Sequence, residues 1–407
     1  MDAHSFIKQT EAELRPVFEA FDEIESFNTA KILKEFKDHS VSARHFAPTT
    51  GYGYDDIGRD TLSDIFAKVL GTESAVVRPQ ITCGTHALSA CLFGILRPGD
   101  TLLSVVGKPY DTLGDVIGIS GKPGMGSLKD LGVNYRQAEL RNGKPDREAI
   151  KSLLDDTVKL VLVQRSRGYD WRASLSVEEI NGLIGFVHGN CPSANVMVDN
   201  CYGEFTNTKE PKADIMAGSL IKNPGGGLAP TGGYIAGKRK LVDKVCCRLT
   251  CPGLGGEVGS YAGSYAPFYQ GLFMAPHTVN QTLKTLCLFS KAFEKLGYDV
   301  HPKSEDPRND IIQAIKFGDK EKLIRFMQLV QANSPVDSEA VPEPWDMLGY
   351  QDQVIMAAGT FVAGASIELS ADAPIRPPYT AYMHGGLSFA HGKLVLEAIL
   401  NDEAFRL

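Results

Sequence analysis

The chain lacks paired CxxC spacing among its 8 cysteines, any apolar run near the ~20 residues that span a bilayer, and a marked excess of either charge. The first absence argues against a disulfide framework or a zinc ribbon. It leaves reduced thiols, several of them buried as small apolar groups. The second argues against a transmembrane segment. The third, a net charge of -7, removes any electrostatic reason to expect nucleic acid or an anionic membrane as partner. The 9 histidines and the acidic residues show no clustered ligand spacing, so no metal site is expected. No GxGxxG follows a strand candidate, and Gly232-Gly233-Tyr234-Ile235-Ala236-Gly237-Lys238, which has Walker spacing, runs into Arg239 rather than Ser or Thr. The opening residues carry charges where a signal peptide has an apolar core, and a cytoplasmic location is the expectation.

What is present is an ordinary globular composition, 43% hydrophobic and 22% charged, long enough at 407 residues for two structural units. Residues 1–50 read as an N-terminal helical arm, with Leu14, Val17, Phe18, Phe21 and Ile24 at helical spacing as far as about Ser40. Residues 51–267 read as a large α/β domain. A glycine and tyrosine turn over 50–59 precedes a helix closed by Gly71. Strand candidates follow at 102–106, 160–163, 196–198, 215–217 and 234–236, with helix candidates at 86–96, 147–154 and 177–187. The last opens on Ser176 and Glu179, the spacing of a capping box. Apolar runs that do not alternate, joined through helices, indicate a mostly parallel sheet covered on both faces. Residues 268–407 read as a long helix through Lys295 and a smaller C-terminal α+β domain, with antiparallel strands near 354–358 and 366–369.

Two residues carry the chemistry. Asp199 closes the apolar run Val196-Met197-Val198, and Lys222 stands in a polar turn before Asn223-Pro224-Gly225-Gly226-Gly227. A lysine so placed is suited to forming an imine, and a carboxylate buried at a strand end can hold a pyridinium nitrogen protonated. Together they point to pyridoxal 5'-phosphate, which takes up the electrons of a broken Cα bond. The backbone amides of Gly84, Thr85 and His86 open a helix and would suit a phosphate. Ser219, three residues before the lysine, could add its hydroxyl. Tyr110, after the 102–106 strand, could stack on a flat heteroaromatic ring, and it would share a side of the sheet with Asp199 and the 164–172 loop.

On these residues the chain resembles the fold type I pyridoxal phosphate enzymes of the cystathionine lyase and methionine gamma-lyase group. More narrowly it resembles the bacterial family labelled methionine gamma-lyase related or aluminium resistance protein. The matching stretches run from Arg44-His45-Phe46 through Gly51-Tyr52-Gly53-Tyr54-Asp55-Asp56, Val198-Asp199-Asn200-Cys201-Tyr202-Gly203-Glu204-Phe205 and the Lys222 turn to Ser370-Ala371-Asp372-Ala373-Pro374-Ile375-Arg376. The resemblance implies that Lys222 carries the cofactor and serves as the base at Cα, that Asp199 pairs with the ring nitrogen, and that Tyr110 stacks on the ring. Gly84, Thr85 and Ser219 would hold the phosphate. It further implies that Tyr54 reaches into a neighbouring subunit of a homodimer or homotetramer, where it or Lys222 gives a proton to the departing group. The related lyases carry a phosphate-binding arginine where this chain has Asp56, so Arg59 is the substitute candidate. Arg376, a fork of donors in the C-terminal unit, suits the carboxylate of an amino acid substrate. The implied activity is β- or γ-elimination on a sulfur amino acid. An aminotransferase, and a pyridoxal phosphate protein with a non-catalytic role in aluminium tolerance, are the alternatives.

Overall fold

The computed structural model describes residues 2–347, 350 and 352–406. Its strands, in chain order, are β1 (Ser74–Arg78), β2 (Thr101–Ser104), β3 (Asn134–Gln137), β4 (Leu140–Arg141), β5 (Lys144–Pro145), β6 (Val158–Gln164), β7 (Asn195–Asp199), β8 (Ile215–Ser219), β9 (Gly233–Gly237), β10 (Asp299–His301), β11 (Ile312–Lys316), β12 (Val354–Ala357), β13 (Ser370–Pro374) and β14 (Thr380–His384).

The non-alternating apolar runs become the inner strands of a seven-stranded sheet ordered β1-β9-β8-β7-β6-β2-β3. The pairings of β9 with β1 and β8 are antiparallel and the other four are parallel. Successive side chains of a strand point to opposite faces, and here both faces are covered. Val161, Val163, Val196 and Val198 enter one core cluster, with helices Ile57–Leu70, Val177–Asn190 and Ala266–Lys295. Leu160, Leu162, Met197 and Ile215 enter the other, with helices Gly84–Ile95 and Arg239–Leu249. The expected α/β class with a mostly parallel sheet is therefore what the chain forms.

The C-terminal part builds a second sheet, β10-β11-β14-β13-β12, antiparallel throughout. Helix Lys320–Ala332 packs on it, and helix Phe389–Asn401 packs on that helix and on the long helix Ala266–Lys295. The capping box at Ser176 and Glu179 forms, with both reciprocal hydrogen bonds present at 2.9 and 3.1 Å. Two expectations need correction. The N-terminal arm is two helices, Ala3–Glu13 and Arg15–Asp38, because Pro16 has no N–H to donate and fits only a first turn. Residues 366–369 are not a strand. The Glu368 carboxylate accepts from the backbone N–H of Phe361 and Val362 at 2.9 and 3.0 Å, folding the segment into a turn, and the strand begins at Ser370.

Candidate functional site

The carboxyl ends of β6, β7 and β8 lie side by side, with Gln164 in register with Asp199 and Asp199 with Ala217. The loops leaving these ends enclose a chamber of about 60 Å³ lined in part by Gly84, Thr85, Tyr110, Asp199 and Lys222, five residues singled out from the sequence. A wider cleft of about 440 Å³ adjoins it, sharing Tyr110, Gln164 and Gly168 and reaching Arg376.

Lys222 is aimed inward by the glycines that follow it. Residues 223–225 form a short 3₁₀ turn, and a side chain on Gly225 would strike the Leu220 carbonyl, while one on Gly271 would strike the carbonyl of Gly225. The long helix Ala266–Lys295 thus packs backbone to backbone against the lysine turn. Asn223 ties the turn to the next loop, donating to the carbonyls of Tyr202 at 3.1 Å and Glu204 at 2.9 Å. Opposite, the N-terminus of helix Gly84–Ile95 comes so close that a Cβ on Gly84 would stand 3.2 Å from Cys201 Sγ, 3.6 Å from Ser219 Cβ and 3.8 Å from Lys222 Nζ. A side chain at residue 84 would crowd the space between the helix start and these groups. Ser219 therefore also stands at the chamber, its Oγ accepting from the Ile221 N–H at 3.3 Å.

Burial raises the Asp199 carboxyl above the usual range, opposed by Lys222 and by hydrogen bonding to Cys201, whose backbone N–H donates to Asp199 Oδ1 at 3.1 Å. Burial disfavours the Lys222 ammonium, but the acidic groups around it (Cys201, Tyr202, Asp199 and Glu204) outweigh this and hold it above the ordinary lysine range. Tyr110 is pinned at both ends. Its backbone N–H donates to Gln164 Oε1 at 2.8 Å, and its hydroxyl lies 2.8 Å from that of Tyr350. Arg172, itself buried, donates to the carbonyls of Gln164 at 3.1 Å and of Ser166, holding the 164–172 loop against the strand ends.

Two sequence candidates stand elsewhere in the protomer. Tyr54 is exposed and stacked on Tyr52, with ring centroids 5.4 Å apart. Arg59 lines neither cavity; its buried guanidinium donates to Asp60, Gly53 and Glu257, anchoring the 51–59 turn. Asp56, the feared anion, caps helix Ile57–Leu70 through the Arg59 N–H at 2.9 Å and accepts from the Tyr265 hydroxyl at 3.0 Å. Arg376 reaches the cleft and pairs with Asp352 at 2.7 Å. Sequence reasoning assigned no role to Gln164, Cys201, Tyr202, Tyr350 or Asp352. For the first three the signal was their place at or just after the end of an inner strand; the last two come from a segment far away in sequence.

A family profile described as "Methionine gamma-lyase" matches residues 3–404. An uncharacterised protein of Bacillus subtilis, YnbB, is 49% identical over 389 residues, covering 95% of this chain and 92% of its own. A solved structure from Listeria monocytogenes, provisionally named a cystathionine beta-lyase involved in aluminium resistance, is 48% identical with a TM-score of 0.95, covering 97% of this chain and 99% of its own. The pyridoxal-5'-phosphate dependent protein YhfS of Escherichia coli shares the fold at 15% identity, with a TM-score of 0.61 over 94% of this chain and 97% of its own. The fold is thus that of the fold type I enzymes. Among the described residues, no group of three or more His, Cys, Asp and Glu is placed to hold a metal, and no helix is long and apolar enough to cross a membrane.

Proposed function

Because the chain belongs to the methionine gamma-lyase family, we propose that it is a pyridoxal phosphate-dependent carbon-sulfur lyase that eliminates at Cβ or Cγ of a sulfur amino acid, releasing a thiol, ammonia and a 2-oxo acid. The observation that carries this reading is the inward-facing Lys222 sharing a buried chamber with Asp199 and a helix N-terminus cleared of side chain at Gly84. These residues fit the cofactor: an amine for its aldehyde, a carboxylate for its ring nitrogen, and the Gly84 and Thr85 amides with Ser219 for its phosphate. When bound, pyridoxal phosphate supplies an electron sink for the bond broken at Cα.

The protein's own groups do the rest. Arg376 holds the substrate carboxylate with its fork of donors, displacing Asp352. Lys222 Nζ takes the Cα proton and returns a proton to the leaving sulfur. Asp199, buried at a strand end, would pair with the ring nitrogen, and the exclusion of water there would strengthen that pairing. Tyr110, clamped by Gln164, presents its ring to the chamber. Tyr54, exposed in the single protomer, is the residue that would enter a neighbouring copy's cleft in a homodimer or homotetramer.

The test is the absorption spectrum of the purified protein with L-cystathionine, L-methionine and L-cysteine in turn, alongside assay of 2-oxo acid. A yellow protein whose band shifts with oxo acid release supports the lyase. Conversion only in the presence of an added 2-oxo acid acceptor would make it an aminotransferase, and an inert yellow protein would leave the binding role. A Lys222→Ala variant is expected to be colourless; retained visible absorption would move the cofactor lysine elsewhere.

A further inference from the structure

The Lys222 ammonium is buried, yet among the described residues no carboxylate stands within 4.0 Å of Nζ. Its partner is an aromatic face: Nζ lies 4.1 Å from the centroid of the Tyr202 ring. A cation set over a ring and shielded from water is held by the ring's quadrupole, and the attraction grows as water is removed. The ring is not free to drift. The ring also stacks on His384, with centroids 5.9 Å apart and planes 27° from parallel. His384 is fixed in turn by Ser370 at 2.9 Å and Asp372 at 3.1 Å across β13 and β14. The Tyr202 backbone takes a φ of +73°, which a tyrosine rarely adopts. Its carbonyl is held there by Asn223, the residue after the lysine, and by the Ile311 N–H, each at 3.1 Å. A strained backbone, two hydrogen bonds and a stacked histidine all serve to keep one ring face toward one amine.

We propose that Tyr202 is a positioning residue for Lys222, its ring face being the seat on which the amine rests when it carries a proton and is not covalently engaged. This goes beyond the assignment of Lys222 itself. It rests on the proposed function only for its place in turnover, as the station to which the lysine withdraws with a proton and from which it delivers that proton. The groups facing the amine are Asp199, Cys201 and Glu204, besides Tyr202; Asp199 is the only other charged side chain among the residues lining the chamber. Removing the ring face leaves the ammonium with burial and without its contact partner, so the amine should give up its proton more readily.

The experiment uses the full chain freed of pyridoxal phosphate with hydroxylamine. Lys222 is reductively methylated with formaldehyde and a borane across pH 6 to 11, its modification is read by peptide mass, and the midpoint is taken from the rising limb of rate against pH, because the native amine is held above the ordinary lysine range. In Tyr202→Leu the midpoint of reactivity is expected to fall by roughly one pH unit, and in Tyr202→Phe, which keeps the ring, to stay with the native chain. The pH profile of kcat in the loaded protein should separate the two variants in the same way. An unchanged midpoint in the Leu variant, with native far-ultraviolet dichroism, would overturn the proposal. So would a Phe variant that falls as far as Leu, since the hydroxyl and not the face would then hold the amine. Should the Leu variant not fold, Tyr202→Met offers a flexible apolar replacement under the same criteria. A chain that shows the Tyr202 effect on Lys222 but takes up no cofactor would leave this inference standing and the proposed function fallen.

Discussion

At the scale of single residues, the most telling group beneath the site is Glu204. Its Oε1 accepts from the Tyr234 hydroxyl at 2.7 Å while Oε2 is buried with no partner among the described residues, and burial pushes its carboxyl up to about 8. Between the ordinary glutamate value and about 8 the folded chain holds a proton on Glu204 that the unfolded chain has released. Its contribution is therefore fully present below the unfolded value and is lost as pH rises through the folded one, with a limiting slope of about 1.4 kcal/mol per pH unit. Thermal midpoints should fall across pH 5 to 8, and Glu204→Gln should flatten that fall; an equal slope in the variant would remove Glu204 as the cause. Arg376 leads to a second expectation. With Asp352 replaced by Asn, the arginine no longer has a rival anion, and KM for the amino acid should drop about two- to fivefold with kcat little changed, in steady-state assays, as befits an exposed ion pair of modest strength.

At the scale of elements, the lysine turn depends on a backbone contact that no side chain can report. Gly225 and Gly271 let the long helix and the 3₁₀ turn touch directly. Gly271→Ala should force them apart, costing about 1–3 kcal/mol in denaturant unfolding and weakening uptake of pyridoxal phosphate; a variant with native stability and uptake would show that the turn tolerates the shift. The inner strands were legible because each is buried on both faces and so reads as a continuous apolar run. Strands β1, β3, β4, β5, β10, β11 and β14 have no such signature. Asn134–Gln137 at the sheet edge is only partly buried, and Thr380–His384 mixes polar and apolar residues because its neighbours, not its own pattern, place it. The helical arm was visible as periodicity, but its break at Leu14 depends on Pro16 two residues on.

For the whole molecule, the assembly carries the sharpest test. If Tyr54 of one copy serves the cleft of another, Tyr54→Phe and Lys222→Ala should each be inactive, yet mixing and reassociating them should restore up to about a quarter of native activity. Half the dimers would be mixed, and each mixed dimer would hold one intact site. No recovery, with exchange of subunits shown, would confine each site to one copy. The sequence by itself determined the α/β class and the candidate lysine, aspartate and phosphate cradle, because strand burial and helix starts are local properties written in adjacent residues. It also carried the family, in long matching stretches. Only the tertiary structure decided that Asp56 is a helix cap, that Arg59 braces a turn, that Gln164 clamps Tyr110, and that Tyr202 sits under the lysine amine. Asp56 meets Tyr265, Arg59 meets Glu257, Gln164 meets Tyr110 and Tyr202 meets Lys222 only because folding brings residues tens or hundreds of positions apart within about 3 to 4 Å, and that is a property of packing that no local pattern records.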